Sequence, residues 1–375
     1  MDINSTLEFL KKDLFKKEPP LGVDISNESV VIVELKGLKG EGLEIVKLGM
    51  AATPSNTVRD GEIQNPEKIA SVIQEIMDVH GFKTKSAITA VSGQSAIIRS
   101  PIKFPAASMK ELKEVVIHDA ERYIPFSIND VNLDFQVLNQ VEEGGINKSE
   151  VVLVAAQKQL IQTYIDTFTL AGLNLLCVDV ASFSVSRSLT GQRELGEGKL
   201  VVLILIRSET TDINVMKDGI PRFFRSIPVG STTFIETLAS EMNIELEDAI
   251  QLYDRMEVPL SGAQLPSKDK MVEQAKETIK PILKDITREI QTSLEYFHQS
   301  QETERIQQVI LAGRGARMKN LDQHFNTTLD VDVVIGNPID FLHFDEAQYP
   351  PEFLYENAPF LATAIGLARR GVEEF

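Results

Sequence analysis

The chain opens twice with a strand, a turn and a second strand: LGVDISNESVVIVEL (Leu21–Leu35) and LVVLILIRSETTDINV (Leu200–Val215). Each unit sets β-branched, apolar runs on either side of a short polar turn, the pattern of two half-buried or buried strands. Helical patterns follow both. A chain that repeats one supersecondary opening and then alternates strands with helices reads as a duplicated α/β fold.

The remaining pattern fills in two halves. After a further strand in LEIVKLGMA, the run PEKIASVIQEIMDVH places Ile69, Val72, Ile73, Ile76 and Val79 at helical spacing, with Pro66 in its first turn. SAITAVSG is a buried strand. A β-α-β-β-α module comes next: SAIIRSPIKFP, a helix from about 108 to 122, NLDFQVLNQV, EVVLVAAQ, and a helix from about 158 to 171. Pro125 biases Ile124 away from helix, so the first of these helices ends by about 123. EEGGINK between the middle strands is a hairpin turn, and its acids at 142–143 are solvated. The polar linker QRELGEGK separates the halves. In the second, helices are expected over 231–256 and 267–301. The second of them carries Ile279, Ile282, Leu283, Ile286, Ile290 and Leu294. QQVILAGRGARMKNL then reads strand, glycine turn, helix; TTLDVDVVIGNP is a strand, and a closing helix covers 360–368.

Composition narrows the function. With 38 basic and 55 acidic residues the net charge is −17, a surface that repels nucleic-acid phosphates. No apolar run reaches the ~18 residues needed to cross a bilayer, and the N-terminus lacks an export signal, so a cytoplasmic location is expected. The lone Cys177 lies in LNLLCVDV and reads as a small buried hydrophobe. Five scattered histidines, His118 among them, make no metal site. The N-terminal segment 1–20 is amphipathic. Ile3, Leu7, Leu10 and Leu14 fall at helical spacing beside lysines at 11, 12, 16 and 17. It reads first as a terminal helix packed on the body or frayed in solvent, with a helix lying on an anionic membrane face as the alternative.

Several long stretches carry a resemblance: ITAVSGQSAIIRSPIKFP, HDAERYIPFSINDVNLDFQVL, VVLVAAQKQLIQTYIDTFTLAGL and DGIPRFFRSIPVG. Through them the chain, from about 21 to 370, resembles the PilM family, actin-like proteins of type IV pilus assembly related to the division protein FtsA. The resemblance implies the actin-like ATPase fold, two ribonuclease H-like halves. The first large subdomain would take 21–94, 171–195 and 351–375, the second 196–233 and 305–350, and a helical small subdomain 234–304. The β-α-β-β-α insert, 95–170, would project from the first half. It further implies a partner, the N-terminal cytoplasmic tail of a PilN-like inner-membrane protein, lodged in a groove beside the insert. That would hold the chain at the inner face of the bacterial inner membrane, peripherally, among other pilus-machine proteins or copies of itself.

In that fold the two hairpin turns grip the phosphates of ATP, and carboxylates at the strand ends hold hydrated Mg2+. The resemblance carries this site onto Asp24, Ser26, Asn27, Ser29, Asp179, Thr210, Thr211, Gly230, Gly313 and Gly315. The departures are at the chemistry. Ser26 stands for the glycine of the first turn and Val31 for a basic residue. Ala181 stands for an acid after Asp179. Leu205 and Arg207 replace the acid and glycine of the second turn, and Glu209 replaces a hydroxyl residue. Arg314 interrupts the glycine turn. An anion at 209 beside a triphosphate costs roughly 4 kcal/mol at ~4 Å and an effective dielectric of ~20, and without an acid at 181 nothing obvious orients an attacking water. The expectation is a degraded nucleotide site that binds ATP and Mg2+ weakly or not at all, with no catalytic residue. The leading function is a non-enzymatic assembly adaptor. A nucleotide-switched ATPase and a membrane scaffold working through the N-terminal helix are the alternatives. For the partner surface, the insert offers Tyr123, Phe126 and Phe135 beside strands that can accept an extended peptide.

Overall fold

The computed structural model describes residues 18–38, 42–92, 95–189, 198–218, 220–259, 269–300 and 304–375. The amphipathic N-terminal segment and most of the linker QRELGEGK lie outside the described residues.

The first half is a six-stranded sheet of β1 (Leu21–Ile25), β2 (Ser29–Gly37), β3 (Leu43–Ala52), β6 (Ser86–Val91), β10 (Asn174–Val180) and β16 (Leu342–His343), in the order β10-β6-β1-β2-β3-β16. A two-stranded ribbon, β4 (Val58–Arg59) and β5 (Glu62–Ile63), leads into helix α1 (Pro66–His80). That helix starts where Asn65 accepts the Lys68 N–H and stops where Gly81 turns left-handed. Its buried stripe ends at Met77, leaving Val79 exposed.

The insert consists of β7 (Ala96–Pro105), α2 (Met109–Asp119), β8 (Val131–Glu143), β9 (Ile146–Gln157) and α3 (Lys158–Leu170). A capping box of Ser108 and Glu111 starts α2, and a single turn of tighter helix over Ala120–Arg122 finishes it before Pro125. The sheet order is β7-β9-β8. Helix α2 covers one face of it, and α3 turns away to join the core of the first half through Leu160, Tyr164 and Phe168. The insert does not stand clear of the rest. Ser100 Oγ donates to the Pro221 carbonyl at 2.9 Å, and Arg222 pairs with Glu150 at 3.1 Å.

After α4 (Ala181–Leu189), the second half repeats the plan with β11 (Leu200–Ile206), β12 (Thr211–Lys217), β13 (Ile220–Ile227), β14 (Gln308–Ala312) and β15 (Asp332–Ile335), ordered β13-β12-β11-β14-β15. In both sheets the first three strands form an antiparallel meander and the next two add in parallel beside the first. The duplication expected from the two openings is therefore present in five strands of each sheet, with β16 added to the first. The central β11, LVVLILI, is wholly buried, which explains its unbroken apolar run.

The expected helix over 231–256 is two, α5 (Ser231–Met242) and α6 (Leu246–Arg255), because Asn243 adopts a left-handed conformation and ends the first. Helix α7 (Lys270–Ser300) closes the core beneath β11 and β12 with Ile279, Leu283, Ile286 and Ile290. Helix α8 (Leu321–Leu329) follows a tight turn. The closing helix α9 (Pro351–Glu374) is far longer than expected and runs through Pro359. Between the two sheets, α4 and α9 share one core with both: Ile88 and Ala90, Ala181 and Val185, Leu203 and Leu205, Ala362 and Leu367. Cys177, expected in the core, is only partly buried on the edge strand β10, and burial pushes its thiol pKa up.

Candidate functional site: a self-filled cleft and an apolar seam

The two hairpin turns face each other across the cleft between the halves. At the end of β1, Asp24 is buried, and Arg207, entering the turn after β11, is buried against it. Arg207 Nη2 donates to Asp24 Oδ1 at 3.0 Å and Nη1 to Thr363 Oγ1 of α9 at 3.3 Å. Burial alone would lower the guanidinium pKa. The charge of Asp24 beside it, with Asp212 further off, holds it above its ordinary value. Arg207 is thus a fixed cation where a glycine would leave room for a phosphate.

The first turn satisfies itself. Ser26 Oγ accepts the Glu28 and Ser29 N–H groups at 3.3 and 3.1 Å, a hydroxyl-closed turn that needs no glycine. The second turn does likewise. Its Arg207 N–H donates to the Thr210 carbonyl, and its Arg207 and Ser208 carbonyls accept the first N–H groups of α5, from Ser231 at 2.9 Å and Thr232 at 2.8 Å. Helix N-termini supply donors to anions; here those donors are already engaged. Gly230 is required by this contact, since a Cβ there would lie 2.4 Å from the Ser208 oxygen. Thr211 is fully buried, its hydroxyl donating to the Val229 carbonyl at 2.7 Å.

On the far side, Arg314 reaches Glu28 at 3.3 Å and Asp254 at 3.4 Å, and Ser231 Oγ donates to Glu28 at 3.1 Å. Burial raises the Glu28 pKa, opposed by Arg314 and Ser231. Gly313, at φ +83°, donates its N–H to the Pro359 carbonyl at 2.8 Å. Both glycines of this turn pack on Ile206, where any Cβ would collide.

Of the residues expected at the nucleotide, Asp24, Ser26 and Gly313 line one small cavity with Arg207 and Arg314, and Asn27 and Thr210 line its neighbour. Ser29, Thr211, Gly230 and Gly315 serve the turns themselves. Asp179 lines neither cavity; Arg187 and Arg370 hold it at 3.1 and 3.0 Å. The two cavities measure about 20 and 10 Å³, room for roughly one water each. At the end of β1, the acid that the resemblance assigns to the metal is paired with an arginine, and the backbone donors of both turns are engaged by the chain itself. Among the described residues no three His, Cys, Asp or Glu side chains gather as a metal site, and no helix is long and apolar enough to cross a membrane.

The insert's aromatics separate. Tyr123 and Phe135 are half-buried on the core under α2, Tyr123 standing edge-on to Phe104 at 6.1 Å, while Phe126 is exposed. The opposite face of the insert's sheet carries a seam that the sequence reading missed. There Ile98 and Val152 of the insert, Val180 of the first half, and half-buried Leu138, Phe183 and Phe224 meet. Leu138 is the extra residue of a bulge between Val137 and Asn139. Phe183 belongs to α4, and Phe224 to β13. Nothing in one segment marks this site, because each subdomain supplies a part of it.

Comparison with known proteins places this geometry. A solved PilM-PilN type IV pilus biogenesis complex matches 95% of this chain and 99% of its own at a TM-score of 0.84 and 26% identity. The ethanolamine utilization protein EutJ from Carboxydothermus hydrogenoformans (TM-score 0.54, 14% identity, 97% of this chain and 96% of its own) shares the fold. So does MreB 5 of Spiroplasma citri bound to AMPPNP (0.55, 13%, 95% and 96%). The family "Type IV pilus assembly protein PilM" matches residues 22–372. The chain is therefore an actin-like protein and belongs to the PilM family of type IV pilus assembly proteins.

Proposed function

We propose that this chain is a non-enzymatic adaptor of a type IV pilus machine, holding the N-terminal tail of a PilN-like inner-membrane protein in the seam between the insert and the two halves. The observation that carries this reading is the apolar seam of Leu138, Phe183 and Phe224 around Ile98, Val152 and Val180. Half-buried apolar side chains brought together from three subdomains make the desolvated centre that a peptide anchor needs. The match to a protein solved with PilN supports the identity of the occupant. Addition of the peptide as a further strand on β8 is the weaker mode, because the Phe135 and Gln140 N–H groups on that strand already donate to the Asp134 and Asn139 side chains. The chain then sits at the inner face of the inner membrane through its partner. The cleft, filled by its own side chains, neither binds nor hydrolyses ATP in this reading.

The test is the affinity of a synthetic PilN-type tail peptide for Phe183→Ala and Leu138→Ala, each read beside its melting temperature. Each should weaken binding by about 10- to 100-fold, 1.4 to 2.8 kcal/mol, with little loss of stability. Phe135→Ala, on the insert's own core, should lose stability and keep its affinity. Unchanged affinity in both seam variants would exclude the seam.

A further inference from the structure

The cleft ion pairs do more than fill space, because each joins groups from different parts of the chain. Asp24 lies at the end of β1 in the first half and Arg207 in the turn after β11 in the second, 183 residues apart. Glu28, in the first turn, is held by Arg314 and by Ser231, both in the second half. Thr363, on the helix between the sheets, accepts the other arm of Arg207. Asp24 and Arg207 are each less than a tenth exposed. Any rotation that opened the cleft would break the Arg207–Asp24 pair and the Arg207–Thr363 hydrogen bond together.

We propose that Arg207 is a tethered counter-ion that locks the two halves closed without any ligand, standing where an actin-like protein would hold a metal-bound phosphate. Closure of such domains is ordinarily supplied by contacts to a ligand that bridges them. Here the bridge is covalently part of the second half, so its local concentration is permanent and the closed arrangement is independent of nucleotide supply. The Ser26 hydroxyl and the Arg207 and Ser208 carbonyls complete the replacement, engaging the backbone donors that a phosphate would otherwise take.

The inference rests on the reading that the cleft takes no nucleotide, and one experiment separates the two. Amide hydrogen exchange is followed on the full chain in the wild type, Arg207→Met and Asp24→Asn, with and without Mg-ATP. Without nucleotide, either variant should speed exchange about tenfold or more in both turns together, 24–30 and 207–212, while the cores under α1 and α7 keep their protection. Asp24→Asn carries the test if Arg207→Met does not fold. Unchanged exchange in Asp24→Asn, or a change confined to the turn that bears the substitution, would overturn the lock. In the wild type Mg-ATP should alter nothing; protection of both turns by Mg-ATP would overturn the reading of the cleft and the lock with it.

Discussion

Arg222→Met tests whether the insert is clamped onto the second half. Arg222 on β13 pairs with Glu150 on β9 at 3.1 Å, and their side chains are 15% and 8% exposed. Removing one member of a buried pair costs roughly 3–5 kcal/mol, mostly through the charge left behind. Lys103 lies 4.0 Å from the other oxygen of Glu150 and is 41% exposed. A residual pair that open to solvent returns about 1 kcal/mol, so the expected net loss is ~2–4 kcal/mol. At about 2–4 °C per kcal/mol for a large domain, the melting temperature should drop by roughly 5–15 °C. The drop should persist at high salt, since screening acts weakly on buried pairs. The double variant Glu150→Gln with Arg222→Met removes both charges and should recover much of the loss. Circular dichroism melts at two salt concentrations read all of this. A shift under about 1 °C for Arg222→Met, or a double variant less stable than the single, would show that the Arg222–Glu150 contact carries no stability.

Three further outcomes follow from the cleft. The wild-type protein should show no Mg-ATP hydrolysis above buffer, and Leu205→Asp with Arg207→Gly and Glu209→Ser should gain nucleotide affinity by calorimetry; no gain would mean that the Gly313–Gly315 turn no longer admits adenosine. Burial raises the folded pKa of Glu28, so its protonated form favours the fold. That contribution is fully present below the ordinary glutamate value and is lost as pH rises through the raised one. Glu28→Gln should flatten the pH dependence of unfolding in that window, and an unaltered profile would refute the assignment.

Sequence made the duplicated meanders readable because alternating and unbroken apolar runs report burial directly, as in β1–β2 and β11. It marked the departures at Ser26, Leu205, Arg207 and Arg314, but not what each does. That Ser26 closes its own turn is a short-range bond a propensity could suggest. That Arg207 reaches Asp24 is a contact over 183 residues that no local pattern encodes. The break at Asn243 was missed because a left-handed asparagine looks like any helical polar residue until its backbone is seen. The apolar centre of the last helix, 360–368, was readable, but both its start and its end lie beyond that run. The helix runs through Pro359, whose carbonyl accepts from the Gly313 N–H. The seam at Leu138, Phe183 and Phe224 needed three subdomains to be assembled before it existed.

The long helix α9 has a consequence for biosynthesis. Its Leu354, Leu361 and Ile365 cover β2 and β3, and Gly22 of β1 lies so close to it that a Cβ would strike the Ala364 carbonyl. The first sheet is translated early and waits for its cover until residues 351–374 leave the ribosome. At about 5–20 residues per second that delay is tens of seconds. The second half, 198–335 apart from its link to α9, is contiguous and emerges complete before then. We therefore expect vectorial synthesis to finish the later half first and to leave the earlier one with an apolar face open to chaperones. Pulse proteolysis of a chain ended at 350 should find the second half protected and the first half cut; equal protection of both would contradict this order.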